Sequence, residues 1–354
     1  MNEWLSALRR AGEADLVAVL VTVAHGKGST PREAGTKMVV LAKQVHGTVG
    51  GGELEFQAIA EARNLLAGGK STRSVKTVLG AELGQNCGGA ARLLLERVGP
   101  GTPWVAELAR WIDRDESLVR VSVLEKADAA SINGPMLVGD AVVVGTLGVR
   151  SQDTRAIESA RRLVADPGAT STLMTEGEVT LLLDPIRPTD FRVVLFGAGH
   201  VGRALARVLG ALPCDVEWID GRAGEFPSEV PQNVRVLVTD QVSSRVAAAH
   251  PGSYFIVMTH SHALDLSIIE AILAREDFAY CGLIGSATKR RSFDTAMIKH
   301  GLTAAQLARL TCPIGIAELQ GKEPGTIAVG VAAQLLGVRE RRAQTKSTAL
   351  RSAA

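Results

Sequence analysis

The sequence predicts an α/β protein of two domains. A mixed α+β domain is expected over residues 1–184, followed over 191–337 by a Rossmann-like, doubly wound domain with a mostly parallel sheet. Three observations carry this. From Phe191 onward, apolar strands alternate with amphipathic helices, the pattern of a parallel sheet covered on both faces. The stretch Phe191–Asp220 reads as an apolar strand, a glycine turn, a helix and a second strand. Pro185 and Pro188 in LDPIRPTDF interrupt the apolar pattern just before it, so residues 185–190 are expected to form the linker.

Taken in order, LVAVLVTVA and TKMVVLA are β-branched runs separated by HGKGSTPREAG, a loop that is long for a hairpin. The cluster GTVGGG (Gly47–Gly52) feeds ELEFQAIAEARNLLAGG, where Leu54, Ile59, Ala62 and Leu66 recur at the helical period. SVKTVL and ARLLLERV read as strands flanking GAELGQNCGGA, and PWVAELARWIDRD as a helix. LVRVSVLE and AVVVGTLG read as strands, TRAIESARRLVAD as a helix and EVTLLLDP as the last strand of the domain. No internal repeat is evident.

The second domain follows as strand RVVLFG, helix HVGRALARVLGAL, strands CDVEWID, VRVLVT and SYFIVMT, helix ALDLSIIEAILARE, strand AYCGLIG and helix ATKRRSFDTAMIKHG. The small-residue run TIAVGVAAQLLGV reads as a core helix or a dimer surface. Residues 338–354 lack apolar periodicity and are expected to be a disordered tail.

Composition excludes several classes. A hydrophobic fraction of 46% with 21% charged residues is that of a compact soluble chain. Lys and Arg number 39 against 37 Asp and Glu, so no basic field recruits nucleic acid. The apolar run Leu16–Ala24 has nine residues, under half of the roughly 20 that span a bilayer, and no membrane attachment is expected. MNEWLSALRR lacks the apolar core of a signal peptide. Four cysteines, Cys87, Cys214, Cys281 and Cys312, stand far apart without a CxxC pair, which fits a reducing compartment and a cytoplasmic protein.

Gly197, Gly199 and Gly202 form GxGxxG between a strand and a helix, with Asp220 at the end of the next strand. Gly197 permits the tight turn, Gly199 lets backbone approach a pyrophosphate, Gly202 lets helix and strand pack, and Asp220 can accept from a ribose. The bland alternative is that the glycines serve packing alone. His200 inside the turn signals either an altered ligand or a histidine facing water. MTHSHALD sets His260 and His262 at the carboxyl edge of the sheet, where such folds bind ligands, although Asp265 can equally cap the next helix. GLIGSATKRR places Ser286, Lys289, Arg290 and Arg291 at a helix start, as an anion site or a solvated basic face. In the first domain the candidates are GSTPREAG, GTVGGGELE with Gly50, Gly51 and Gly52, and LGQNCGG with Gln85 and Cys87. Glycines leave Cys87 accessible as a soft ligand or thiolate, while spacing alone favours an inert cysteine.

In the order KGSTPREAGTKM, GTVGGGELE, LGQNCGG, VVLFGAGHVGRALA, VMTHSHALD and GLIGSATKR, these motifs resemble the XdhC/CoxI family of xanthine dehydrogenase accessory proteins. The resemblance covers nearly the whole ordered chain. It implies a non-enzymatic protein that binds molybdenum cofactor, as molybdopterin or its dinucleotide form, and protects it. It also implies help in sulfuration by a cysteine desulfurase and insertion into an apo molybdenum hydroxylase of the xanthine dehydrogenase type. The cofactor is then expected between the Gly197 turn and the N-terminal glycine loops, with Cys87 as a molybdenum ligand, and a homodimer is expected. The family loop commonly reads GQCCGG, whereas Asn86 stands here before Cys87, so a mechanism needing two vicinal thiols is in doubt. Two other classes stay open. One is an NAD(P)-dependent oxidoreductase, with Asp220 favouring NAD because a carboxylate repels a 2′-phosphate. The other is a nucleotide-sensing regulatory module. No nucleophile, base and orienting partner stand at recognisable spacing, which favours binding and delivery over turnover.

Overall fold

Leu5, Ala7, Leu8 and Ala11 include three- and four-residue spacings, and the segment carrying them is a helix, α1 (Glu3–Glu13), with all four buried. The computed structural model describes residues 3–28, 30, 32–79, 89–126 and 134–352, and the chain divides into two units, Met1–Pro188 and Thr189–Ala354.

In the first unit α1 is followed by β1 (Ala18–Lys27), β2 (Lys37–Val40), β3 (Val45–Gly47), α2 (Gly52–Ala67), β4 (Thr72–Leu79) and β5 (Gly89–Val98). Then come α3 (Pro103–Asp113), β6 (Leu118–Lys126), β7 (Met136–Val138), β8 (Val143–Val144), α4 (Arg150–Ala165), β9 (Thr172–Glu176) and β10 (Val179–Ile186). The strands form two antiparallel sheets, β3-β2-β1-β5-β4 and β8-β7-β6-β10-β9. Successive strand residues face opposite ways, so each sheet has two buried faces of different company. Val19, Val21 and Val23 of β1 pack under Leu54, Ala58, Ala62 and Leu65 of α2. Ala18 and Leu20 point the other way, into a core shared with α1, α3, Leu137 and Ile186. In the second sheet Val119 and Val121 lie under Ala156 and Ala160 of α4.

The two sheets have the same strand order, and equivalent helices begin 100 residues apart (Glu3, Pro103) or 98 apart (Gly52, Arg150). The reading of no internal repeat is therefore corrected. The identities are scattered, as at Trp4 and Trp104 or Gly47 and Gly145, and unequal loops break their spacing.

The second unit contains β11 (Arg192–Phe196), α5 (His200–Leu209), β12 (Asp215–Asp220), β13 (Val234–Val238), α6 (Val242–Ala248), β14 (Tyr254–Val257) and α7 (His262–Leu273). It continues through β15 (Tyr280–Leu283), α8 (Ala287–Lys299), α9 (Ala304–Leu307), β16 (Leu310–Thr311) and α10 (Pro324–Ser352). Its six strands are all parallel, in the order β13-β12-β11-β14-β15-β16. The order reverses between β11 and β14, the switch point at which doubly wound sheets open a crevice. Helix α6 was not anticipated, since only Val242 and Val246 anchor it.

The run TIAVGVAAQLLGV is a core helix within this unit: Ala328, Val331, Ala332 and Leu335 of α10 are buried with Leu205, Ala206 and Leu209 of α5. Residues 338–352, expected to be disordered, continue α10. They contain neither Gly nor Pro and are rich in strong helix formers, so the helix continues there without an apolar stripe. Arg339 also ties α10 to the unit, 3.3 Å from Asp190 and over the Phe191 ring. Among the described residues no helix is long and apolar enough to cross a membrane.

Candidate functional site

The glycine turn after β11 is built from close contacts. Gly197 has φ +112°, and a Cβ there would lie 2.3 Å from the Met258 carbonyl oxygen. At Gly202 a Cβ would come within 2.1 Å of the Gly197 carbonyl oxygen, so this glycine lets α5 close onto the turn. Gly199 differs, because nothing lies within 4 Å of where its Cβ would be. It caps α5 without a side-chain hydrogen bond, leaving first-turn amides directed outward. His200 is exposed at the start of that helix.

Asp220 braces the turn. Its carboxylate accepts from the Ala198 amide at 2.8 Å, and Arg222 donates to it from Nε and Nη2 at 2.9 Å. Burial pushes the Asp220 pKa up, but these bonds, led by Arg222, outweigh it and bring the group down to about 2. The brace extends outward, since Glu225 lies 3.3 Å from Arg222 and 2.9 Å from Arg203, which in turn donates to the Ala198 carbonyl. The carboxylate expected to meet a ribose is thus engaged by its own chain. The Gly197 carbonyl is held from below by the indole N–H of buried Trp218 at 2.9 Å.

Beside the turn opens a cleft whose walls include Gly197, Asp220, Arg222, Asp240, Val242 and His260. His260 is exposed and reaches this cleft, as its place at the carboxyl edge implied. Thr239 and Asp240 were missed, although they follow β13 as His260 follows β14. The same edge rule, applied to VRVLVTD, finds them.

The neighbouring loops are tied to each other. Ser261 caps α7 by accepting from the Leu264 amide, so Asp265 is not the cap. Asp265 is fully buried and accepts from the Thr259 amide at 3.0 Å and hydroxyl at 2.7 Å, with Lys289 Nζ 2.7 Å away. Lys289 donates also to the Ile284 carbonyl, and Arg290 turns to Asp294 and the carbonyls of Leu307 and Leu310. Two of the three basic residues in GLIGSATKRR are therefore committed within the protein. Ser286 caps α8 by accepting from the Lys289 amide, and His262 meets the Phe293 ring edge-on.

In the first unit, Gly50, Gly51 and Gly52 all have positive φ, at 127°, 75° and 62°. The carboxylate of Glu55 accepts from the Thr48 hydroxyl and from the amides of Val49 and Gly51. Burial raises its pKa, and these donors more than offset that and lower it. The glycine loop thus closes first on its own carboxylate. Gln85 and Cys87 lie outside the described residues. Of the other cysteines, Cys281 is fully buried and Cys214 has a pKa pushed up by burial to about 11, so neither is poised as a thiolate. Among the described residues no group of three or more His, Cys, Asp or Glu is placed to hold a metal ion.

The parallel sheet with its switch point and the glycine turn at the start of α5 define a Rossmann domain, joined to an antiparallel α+β unit. Comparison with known proteins agrees: the XdhC Rossmann domain matches residues 193–335, and the XdhC and CoxI family matches residues 9–78, together more than half of the chain. The chain belongs to the XdhC and CoxI family. It is similar to a Bacillus halodurans protein described as a xanthine dehydrogenase, with TM-score 0.70 over 96% of each chain. At 20% identity this likeness shows the shared fold. It is also 28% identical over 151 residues to uncharacterized protein YqeB of Escherichia coli K12, covering 42% of this chain and 27% of that one. The match therefore spans about a quarter of that relative.

Proposed function

We propose that this protein is an accessory factor that binds molybdenum cofactor and delivers it to an apo molybdenum hydroxylase of the xanthine dehydrogenase type. The observation that carries the reading is the Gly199 turn. Open backbone at a helix start capped without a side chain suits a phosphate, and a cleft adjoins it on the side of Asp220 and His260. Phosphate is common to molybdopterin and to its dinucleotide form. Gly199 and the first turn of α5 would hold it, with His200 and His260 at the rim. When bound, the cofactor would supply the molybdenum and its sulfur chemistry. Cys87 is proposed as the protein's soft ligand, and Asn86 beside it leaves one thiol in this loop for any exchange with a cysteine desulfurase. Family membership supports an accessory rather than catalytic role.

The test is reconstitution. A cofactor-free hydroxylase is supplied with cofactor with and without this protein, and a gain in activity is expected with it. Equal activity in both arms defeats the proposal. The Rossmann fingerprint also favours a second reading, an NAD-dependent oxidoreductase. Against that use, Asp220 already carries Arg222 and the Ala198 amide in place of a ribose. Saturable NADH binding with turnover would select the oxidoreductase. Saturable nucleotide binding without turnover or delivery would select a sensing module.

A further inference from the structure

The two halves of the first unit agree in detail that a shared strand order alone does not require. Helices α1 and α3 have 11 residues each and are followed by Asp15 and Asp115, both left-handed, at φ 55° and 63°. Each helix closes the same way: the Leu16 amide donates to Ala11, and the Glu116 amide to Trp111. Strand register repeats, with Val19 opposite Val40 and Val21 opposite Met38 in one half, Val119 opposite Val138 and Val121 opposite Met136 in the other. The turns GTVG and GTLG repeat down to single bonds. Gly50 and Gly148 donate to the hydroxyls of Thr48 and Thr146, and each threonine donates to an acid seven residues on, Glu55 or Asp153. Gly47 and Gly145 are both left-handed, and a Cβ on either would lie 2.9 or 3.0 Å from the carbonyl oxygen of Lys37 or Pro135.

The surface between the halves repeats as well. One buried cluster consists of Ala24, Leu94, Leu124 and Leu182, two residues from each half at matching strand positions. Glu96 and Asp184 also match, standing opposite Leu20 and Arg120 in register. Each acid crosses to the other half, although the bases they meet stand at different positions: Glu96 meets Arg120 of β6, the counterpart of Leu20, at 2.7 Å, and Asp184 meets Lys37 of β2, the counterpart of Pro135, at 2.7 Å. All four side chains are at most 9% exposed, and each base lies under the tryptophan of its own half, Arg120 under Trp104 and Lys37 under Trp4.

We infer that the first unit is two copies of one repeat, packed face to face as a fused isologous pair, so that the partner each copy's inner face fits is a second copy of itself. Contact between matching positions of two copies, as in the cluster of Ala24 and Leu94 with Leu124 and Leu182, is the signature of twofold packing. What both copies share answers to that common fold. Thr48 and Glu55 are accordingly framework residues that set the entry into α2, as Thr146 and Asp153 set the entry into α4.

Two experiments on the full chain test this. Replacing Gly145–Asp153 by GTVGGGELE, the sequence at Gly47–Glu55, is expected to leave the melting temperature within about 3 °C of the parent, less than the cost of about 1.5 kcal/mol of stability. Aggregation or a fall of more than about 10 °C would overturn the equivalence. Asp184→Asn and Glu96→Gln should each lower the melting temperature by roughly 6–20 °C, since each strands a buried base. Lys37→Met should rescue only the first, and Arg120→Met only the second. Rescue in the opposite combination, or a cost at one acid and none at the other, would refute the crossed pairing.

Discussion

Asp220→Asn offers a direct reading of the brace under the glycine turn. In the folded protein the carboxylate has a pKa of about 2 against the ordinary 3.8, a depression sustained by Arg222 and the Ala198 amide against the opposing effect of burial. Each pH unit of depression is worth about 1.4 kcal/mol, so ionised Asp220 contributes roughly 2 kcal/mol, an upper figure because Arg222 is partly exposed to solvent. The folded pKa is the lower one, so the contribution is complete above pH 4 and is lost as pH falls through 4 toward 2. Asparagine cannot ionise and should be less stable than the parent by about 1–2 kcal/mol at pH 7. The gap should close in acid. Urea unfolding of parent and variant at steps from pH 7 to pH 2.5, followed by near-ultraviolet circular dichroism, measures it. A gap that stays constant from pH 7 to pH 2.5 would show that the carboxylate's charge does not hold the turn.

Three further outcomes are expected. Gly199→Val should leave the melting temperature near that of the parent, because its Cβ enters open space, yet weaken cofactor retention on gel filtration; Gly202→Val, whose Cβ would meet the Gly197 carbonyl at 2.1 Å, should lose stability first. Lys289→Met leaves Asp265 buried without its cation and should cost about 3–5 kcal/mol in denaturant unfolding, and a loss below 1 kcal/mol would mean that the Thr259 bonds suffice alone. Cys87→Ala should lower the molybdenum content of the cofactor-loaded protein with its circular dichroism unchanged. Equal metal in variant and parent would remove the proposed ligand.

The parallel sheet of the second unit was legible because its strands are predominantly apolar and alternate with helices, and each glycine in Gly197–Gly202 has a distinct steric task. Helix α6 escaped because two valines make too short a period, and the end of α10 escaped because a helix formed by propensity leaves no apolar stripe. The site was partly legible. Position at a strand's carboxyl end located His260, and Asp220 was found by its spacing from the glycines. Spacing does not reveal that a carboxylate is already partnered, and Arg222 two residues away decides what Asp220 can bind. Lys289 likewise looked available in sequence, because its partner Asp265 is 24 residues distant. The repeat was hidden for a related reason, since its constraints lie in registers and hydrogen bonds more than in residue identity.

The bond from Trp218 to the Gly197 carbonyl has a spectroscopic consequence. The chain has four tryptophans, and Trp4, Trp104 and Trp111 all belong to the first unit. Trp218 is thus the one indole of the second unit, sealed from solvent and bonded to the backbone of the turn itself. With the other three replaced by phenylalanine, its emission becomes a label-free optical reporter of the turn, so changes at Gly199 can be followed without any signal from the duplicated unit.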